Sequence, residues 1–91
     1  MRLERTKAFL RSLKGKSDNE LQAAAVAIGR AGAIFGKPHL HSGTDIRRLT
    51  KTLFECRAGL ELRLLFRREG DALVFVFAGN HDEVRDFLSN R

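Results

Sequence analysis

The run Ala72–Gly79, ALVFVFAG, is apolar on both of its alternating faces. A strand of this kind cannot leave one face to water. It belongs inside a sheet, with a covering layer above and another below. The rest of the chain must therefore supply neighbouring strands and two layers of cover, and 91 residues suffice for one such domain, 1–91, with a thin core.

The neighbouring strands come just before it, where the hydrophobic period is two. In TLFECR, Phe54 and Cys56 point one way and Leu53, Glu55 and Arg57 the other. In LELRLLFR, Leu60, Leu62, Leu64 and Phe66 alternate with Glu61, Arg63, Leu65 and Arg67. Ala58-Gly59 and the REGD stretch read as tight connections, so the three runs form an antiparallel meander.

The cover comes from segments of helical period. RTKAFLRSLKG carries Phe9, Leu10 and Leu13 on one face, Thr6 as N-cap and Gly15 past its end. Met1–Glu4 reads as a short strand leading into it. After a short GKS link, Ser17 and Glu20 form a capping box. Leu21, Ala25, Ile28 and Phe35 then follow at helical spacing, with Ala24 widening the stripe. Gly29 and Gly32 weaken this helix and allow a close approach to whatever it covers. After the last strand, Asn80 and Glu83 cap a short helix with Val84, Phe87 and Leu88 inward. The expected fold is α+β: an N-terminal helical hairpin packed on a small antiparallel β-meander sheet, with a short C-terminal helix.

Charge narrows the function. Seventeen Lys and Arg against eleven Asp and Glu give a net charge of +6, which favours a polyanionic partner, nucleic acid before an anionic membrane, with an acidic protein third. Basicity without functional consequence is the plain alternative. The single Cys56 excludes an internal disulfide, and His39 and His41 in HLH lack the further ligands a metal needs, so they read as loop. The charged start, MRLERTKAFLRSLKGK, has no signal-peptide core, and no apolar run approaches the roughly 20 residues that cross a bilayer. A cytoplasmic protein without membrane contact is expected.

Within the strands, Arg57 and Arg63 project from one sheet face near each other. They repel unless an anion lies between them. A phosphate suits the forked guanidinium, and Glu55 and Glu61 on the same face are the internal alternative. His81 occupies the first turn of the capped last helix, where free amides and the dipole favour anions and where an imidazole can give a proton. As alternatives, His81 is an ordinary surface residue, and Arg47, Arg48 and Lys51 are a solvated stretch, not a phosphate track.

These segments resemble the RelE/ParE toxin superfamily: RRLTKTLFECR with its Glu-x-Arg, the LRLLF strand, and LVFVFAGNH before a short helix. The resemblance spans essentially the whole chain. It implies the toxin of a type II toxin–antitoxin system, with the RelE-like branch favoured. That branch consists of metal-independent endoribonucleases that cut messenger RNA on the ribosome, by attack of the ribose 2′-hydroxyl on the scissile phosphate. Carried over by motif, Arg63 stabilises the phosphate with Arg57 nearby, His81 is the proton donor, and Glu55 is the base, with Lys51 an alternative. Arg47, Arg48, Lys51 and Arg85 are the RNA-contacting candidates. No cofactor is implied. The implied partners are messenger RNA, the ribosome and a cognate antitoxin in a hetero-oligomer. The chain departs from the pattern in lacking strand lysines at Leu53 and Glu55 and in having no Tyr, so only Phe77 or Phe87 could stack on a base. A ParE-like gyrase inhibitor and a non-toxic antitoxin-binding remnant are the alternative functions.

Overall fold

The apolar run Ala72–Gly79 is an interior strand of a five-stranded sheet. The structure, a computed structural model, describes residues 2–35 and 46–90. Its elements in chain order are β1 (Arg2–Arg5), α1 (Lys7–Ser12), α2 (Asp18–Ile34), β2 (Arg47–Arg48), β3 (Leu53–Ala58), β4 (Leu62–Glu69), β5 (Ala72–Gly79) and α3 (His81–Ser89). The strand order is β1-β5-β4-β3-β2. The meander β3–β4–β5 is antiparallel, whereas β1 adds to β5 in parallel, Arg2 beside Ala72 through Arg5 beside Phe75. The sheet is therefore mixed. The N-terminal strand, expected at Met1–Glu4, is more than a lead-in to α1; it pairs with an edge that β5 would otherwise expose to water.

Both turns of the meander use glycine where the backbone needs a positive φ, Gly59 at 72° and Gly70 at 60°. Helices α1 and α2 cover one face of the sheet. Phe9, Ala24, Ala27, Ile28, Ala31 and Phe35 pack there on Cys56, Ala58, Leu62, Leu64, Phe66, Leu73, Phe75 and Ala78. Aromatic rings cross this layer in a continuous row, Phe35–Phe54–Phe66–Phe75–Phe9, with successive centroids 4.8 to 5.8 Å apart. On the other face Val84 of α3 joins Leu53, Leu65, Ala72, Val74 and Val76 in a second buried cluster. Phe77 and Phe87 stack there at 4.5 Å. β5 is covered on both sides, as its composition requires.

The expected caps form. Thr6 Oγ1 accepts from Phe9 N, and the boxes Ser17/Glu20 and Asn80/Glu83 are both closed. The inward faces differ in detail. Ala24, Ile28 and Phe35 are buried as expected, but Leu10, Leu21 and Ala25 are exposed, and Ala27 and Ala31 complete the buried stripe. Small residues face the sheet because the helix lies close to it. A Cβ on Gly32 would come within 2.8 Å of Leu3 Cδ2, whereas one on Gly29 would meet nothing within 4 Å. Leu60, expected to alternate inward, is 95% exposed, because the strand begins only at Leu62 and Leu60 belongs to the turn. His39 and His41 lie outside the described residues.

Candidate functional site

On the α3 side of the sheet a groove of about 180 Å³ opens between β2, β3, β4 and the start of α3. Its polar lining is Arg47, Glu55, Arg63, His81 and Arg85, and its apolar wall is Leu49, Val84 and Leu88. Strand register explains the grouping. Arg47 on β2 is directly opposite Glu55 on β3, and Arg63 on β4 lies diagonally across from Glu55, because its own direct partner is Arg57. The carboxylate is therefore held between arginines from the strands on either side.

Glu55 is the single buried charged residue among those described, 4% exposed. A buried carboxylate is tolerated only when paired and hydrogen-bonded. Arg47 Nη2 lies 3.2 Å from its Oε2, and Arg63 Nη1 donates to Oε1 at 3.4 Å and to Oε2 at 3.5 Å. Among the described residues no buried side-chain polar atom is left without a partner. Two guanidiniums on one carboxylate leave the pair of arginines with an uncompensated positive charge. Arg85 adds another at the rim, although Asp82, 3.5 Å away and exposed, screens it from outside.

His81 is the first residue of α3 and stands exposed on the groove's border, with no hydrogen bond or ion pair from its side chain among the described residues. Its backbone is fixed by the cap. Asn80 Oδ1 accepts from Glu83 N at 2.8 Å, and Glu83 Oε1 accepts from Asn80 N at 2.8 Å and from Lys16 Nζ at 3.2 Å. The Asn80 backbone N–H, and then the Lys16 ammonium, hold the Glu83 carboxyl below its ordinary value.

Not all the expected site residues gather here. Arg57 faces Arg63 in register but lines a different cleft, of about 310 Å³, between α2 and β3, together with Arg30. It makes no ion pair with any described residue, and Glu61 in the exposed turn pairs with neither arginine. Arg48 donates to the carbonyls of Thr50 and Lys51, at 3.1 and 2.7 Å, and its guanidinium carbon is 5.9 Å from the Phe54 ring centroid. Lys51 is exposed beside it, outside the groove. Phe77 and Phe87 line yet another cleft with Glu83 and Asp86, away from the groove residues. Val84 and Leu88 of the apolar wall are the residues expected inward on the last helix, whereas Lys16 and Leu49 had no local signal in the sequence, because they meet the site only through the fold. No group of three or more potential metal ligands lies together among the described residues. No described helix is long and apolar enough to cross a membrane.

No family model matches the chain, and no curated protein matches it in sequence. Its fold has clear counterparts among solved structures. A chain of the RelB–RelE antitoxin–toxin complex from Methanococcus jannaschii superposes with a TM-score of 0.70 at 16% identity, covering 92% of this chain and 96% of that one. A conserved hypothetical protein from Helicobacter pylori gives 0.62 at 21% identity over 92% and 98% of the two chains. YafQ from Escherichia coli gives 0.58 at 14% identity over 92% and 98%. These likenesses span nearly the full length of each partner. The chain has the fold of the RelE-like toxin superfamily.

Proposed function

We propose that this protein is the toxin of a toxin–antitoxin pair and that it cleaves messenger RNA on the ribosome, in the cytoplasm. The observation that carries the reading is the groove in which Arg63 and Arg47 converge on one buried carboxylate with the unpartnered His81 at its border. Cleavage of a phosphodiester by its own ribose 2′-hydroxyl needs an acceptor for the hydroxyl proton, cations for the charge on the phosphorane oxygens, and a donor for the departing 5′-oxygen. Arg63, held by Glu55 and with a side-chain exposure of only 19%, is a preorganised cation of this kind. Arg47 and Arg85 extend the positive border along which the RNA backbone would lie. His81 gives its proton to the 5′-oxygen. The P–O5′ bond breaks as the 2′-oxygen bonds to phosphorus, leaving a 2′,3′-cyclic phosphate and a 5′-hydroxyl.

Glu55 and Lys51 are the two candidates for taking the 2′-hydroxyl proton. Both oxygens of Glu55 already accept from arginine, which suits it also to orienting the guanidiniums. Arg57, without an ionic partner among the described residues, is assigned to binding and not to the bond-breaking step. With Arg63 it would be covered by an acidic or amphipathic antitoxin segment, in a hetero-oligomer that closes the groove to RNA.

The experiment is controlled expression followed by mapping of RNA 5′ ends. Codon-phased cuts bearing 5′-hydroxyls in translated messages are the expected result. Growth arrest with DNA damage and an unchanged RNA profile would replace this reading with gyrase inhibition, and healthy growth would leave only an antitoxin-binding module.

A further inference from the structure

The residue that would act as acid, His81, is held only by its helix, and α3 is short. What fixes the beginning of that helix therefore decides where the imidazole stands. The fixing comes from the opposite layer. Lys16, in the connection between α1 and α2, lies 67 positions away in sequence, yet its ammonium is 3.2 Å from Glu83 Oε1. That same oxygen accepts from Asn80 N and closes the cap just before His81. The Lys16 side chain is 18% exposed and that of Glu83 46%, so the ammonium end of this contact is partly shielded from water.

Two further observations belong to the same seam. β1 pairs with β5 only as far as Phe75, and beyond it the β5 edge is closed by α1 and its cap. Thr6 N and Oγ1 both donate to Phe75 O, and Ala78 N donates to Ser12 Oγ at 2.9 Å while Ser12 Oγ donates to Phe9 O. The end of β5 and the start of α3 are thus tied to one stretch of chain, from Thr6 to Lys16. Gly79, between them, leaves the room Glu83 occupies. A Cβ there would fall 2.8 Å from Glu83 Cβ and 3.1 Å from Glu83 Oε1.

We propose that Glu83 is the positioning residue for His81, acting through the Asn80–Glu83–Lys16 junction that anchors the first turn of α3 to the α1–α2 connection. The chemical consequence rests on the proposed nuclease reading, but the placement of the imidazole does not. Glu83 touches no substrate. It sets the distance from the imidazole to the scissile position, and misplacement of a reacting group by about an ångström can cost on the order of a hundred-fold in rate.

The test compares the intact protein with Glu83→Ala, Glu83→Gln and Lys16→Met. Two readouts are taken: cleavage of a ribosome-bound message, and the NMR signals of the His81 ring, meaning its chemical shifts and their change with pH. Glu83→Ala is expected to lower kcat by roughly ten- to a hundred-fold at nearly constant KM and to shift the ring signals. Glu83→Gln keeps an acceptor for the Asn80 N–H and should restore most of both. Lys16→Met leaves the local cap intact and removes only the anchor, so it remains informative if Glu83→Ala fails to fold. It is expected to shift the ring signals in the same direction. Unchanged His81 signals in a folded Lys16→Met or Glu83→Ala variant, even with a lowered Tm, would overturn the proposal. If the parent protein cleaves no RNA, the nuclease reading falls, and the ring signals alone then decide the positioning role.

Discussion

Arg63 Nη1 stands 3.4 Å from Glu55 Oε1, and the carboxylate it touches is 4% exposed. The arginine's place is thus set by an internal anion before any ligand arrives. Glu55→Gln removes that anion and leaves Arg63 and Arg47 repelling each other. A stability loss of about 1–3 kcal/mol is expected, tempered because both guanidiniums still reach water. Inorganic phosphate should then raise the Tm of the variant by more than it raises that of the parent. Equal phosphate shifts in a thermal melt would show that the groove is not an anion site.

Arg63→Ala and His81→Ala act on the proposed chemistry directly. Each should relieve growth arrest with a rate loss of roughly a hundred-fold or more while the protein still folds. Arg57→Ala, in a different cleft, should lose far less cleavage and more antitoxin affinity. Full toxicity of the Arg63/His81 double variant would remove both residues from the mechanism.

Glu83 gives a pH signature. Hydrogen bonds from the Asn80 N–H and the Lys16 ammonium lower its pKa in the folded state. The unfolded chain therefore binds this proton more readily, so stability from this group is present above the ordinary carboxylate pKa and is lost as pH falls through the lowered one. Glu83→Gln should flatten the acid limb of a Tm–pH profile. An acid limb identical to that of the parent would show that the junction does not form in solution.

Gly29 and Gly79 should respond oppositely to alanine. Gly29 is exposed inside α2, and an added methyl group would meet nothing within 4 Å. Gly29→Ala should therefore stabilise by about 1 kcal/mol, a Tm gain of about 4–8 °C. Gly79→Ala pushes a methyl into Glu83 and the Phe77 ring, at 2.8 and 2.9 Å, and should destabilise by about 1–3 kcal/mol. Urea melts distinguish the two signs.

Much of this was legible in the sequence, for identifiable reasons. The two-faced apolarity of Ala72–Gly79, the alternation on either side of Ala58-Gly59 and the boxes at Ser17 and Asn80 are local signals, and each element they predicted is present. The parallel partner of β5 was not legible, since nothing in Arg2–Arg5 names a strand some seventy residues away. The stripe of α2 was legible in part: Ala24, Ile28 and Phe35 were expected inward and are buried, but Ala27 and Ala31 were missed. Leucine outranks alanine as a core residue by burial alone, but a helix this close to its sheet admits Ala27 and Ala31 and turns Leu21 outward. For the site, strand period placed Arg57 and Arg63 correctly opposite each other. It also offered Glu55 as the internal counter-ion, which Arg63 takes, but it could not reveal that β2 would add Arg47 to the same carboxylate, or that Arg57 would border another cleft.

The pairing of β1 with β5 carries a kinetic consequence. Residues 2–5 leave the ribosome well before the strand they join, which emerges only with residues 72–75. Until then the fragment can form helices but cannot close its sheet, because a loop of this length must be ordered before the contact repays it. The groove, built on β3, β4 and the helix after β5, stays unassembled over the same interval. A nascent chain of this protein has no groove to offer RNA until β5 and the helix behind it have been made.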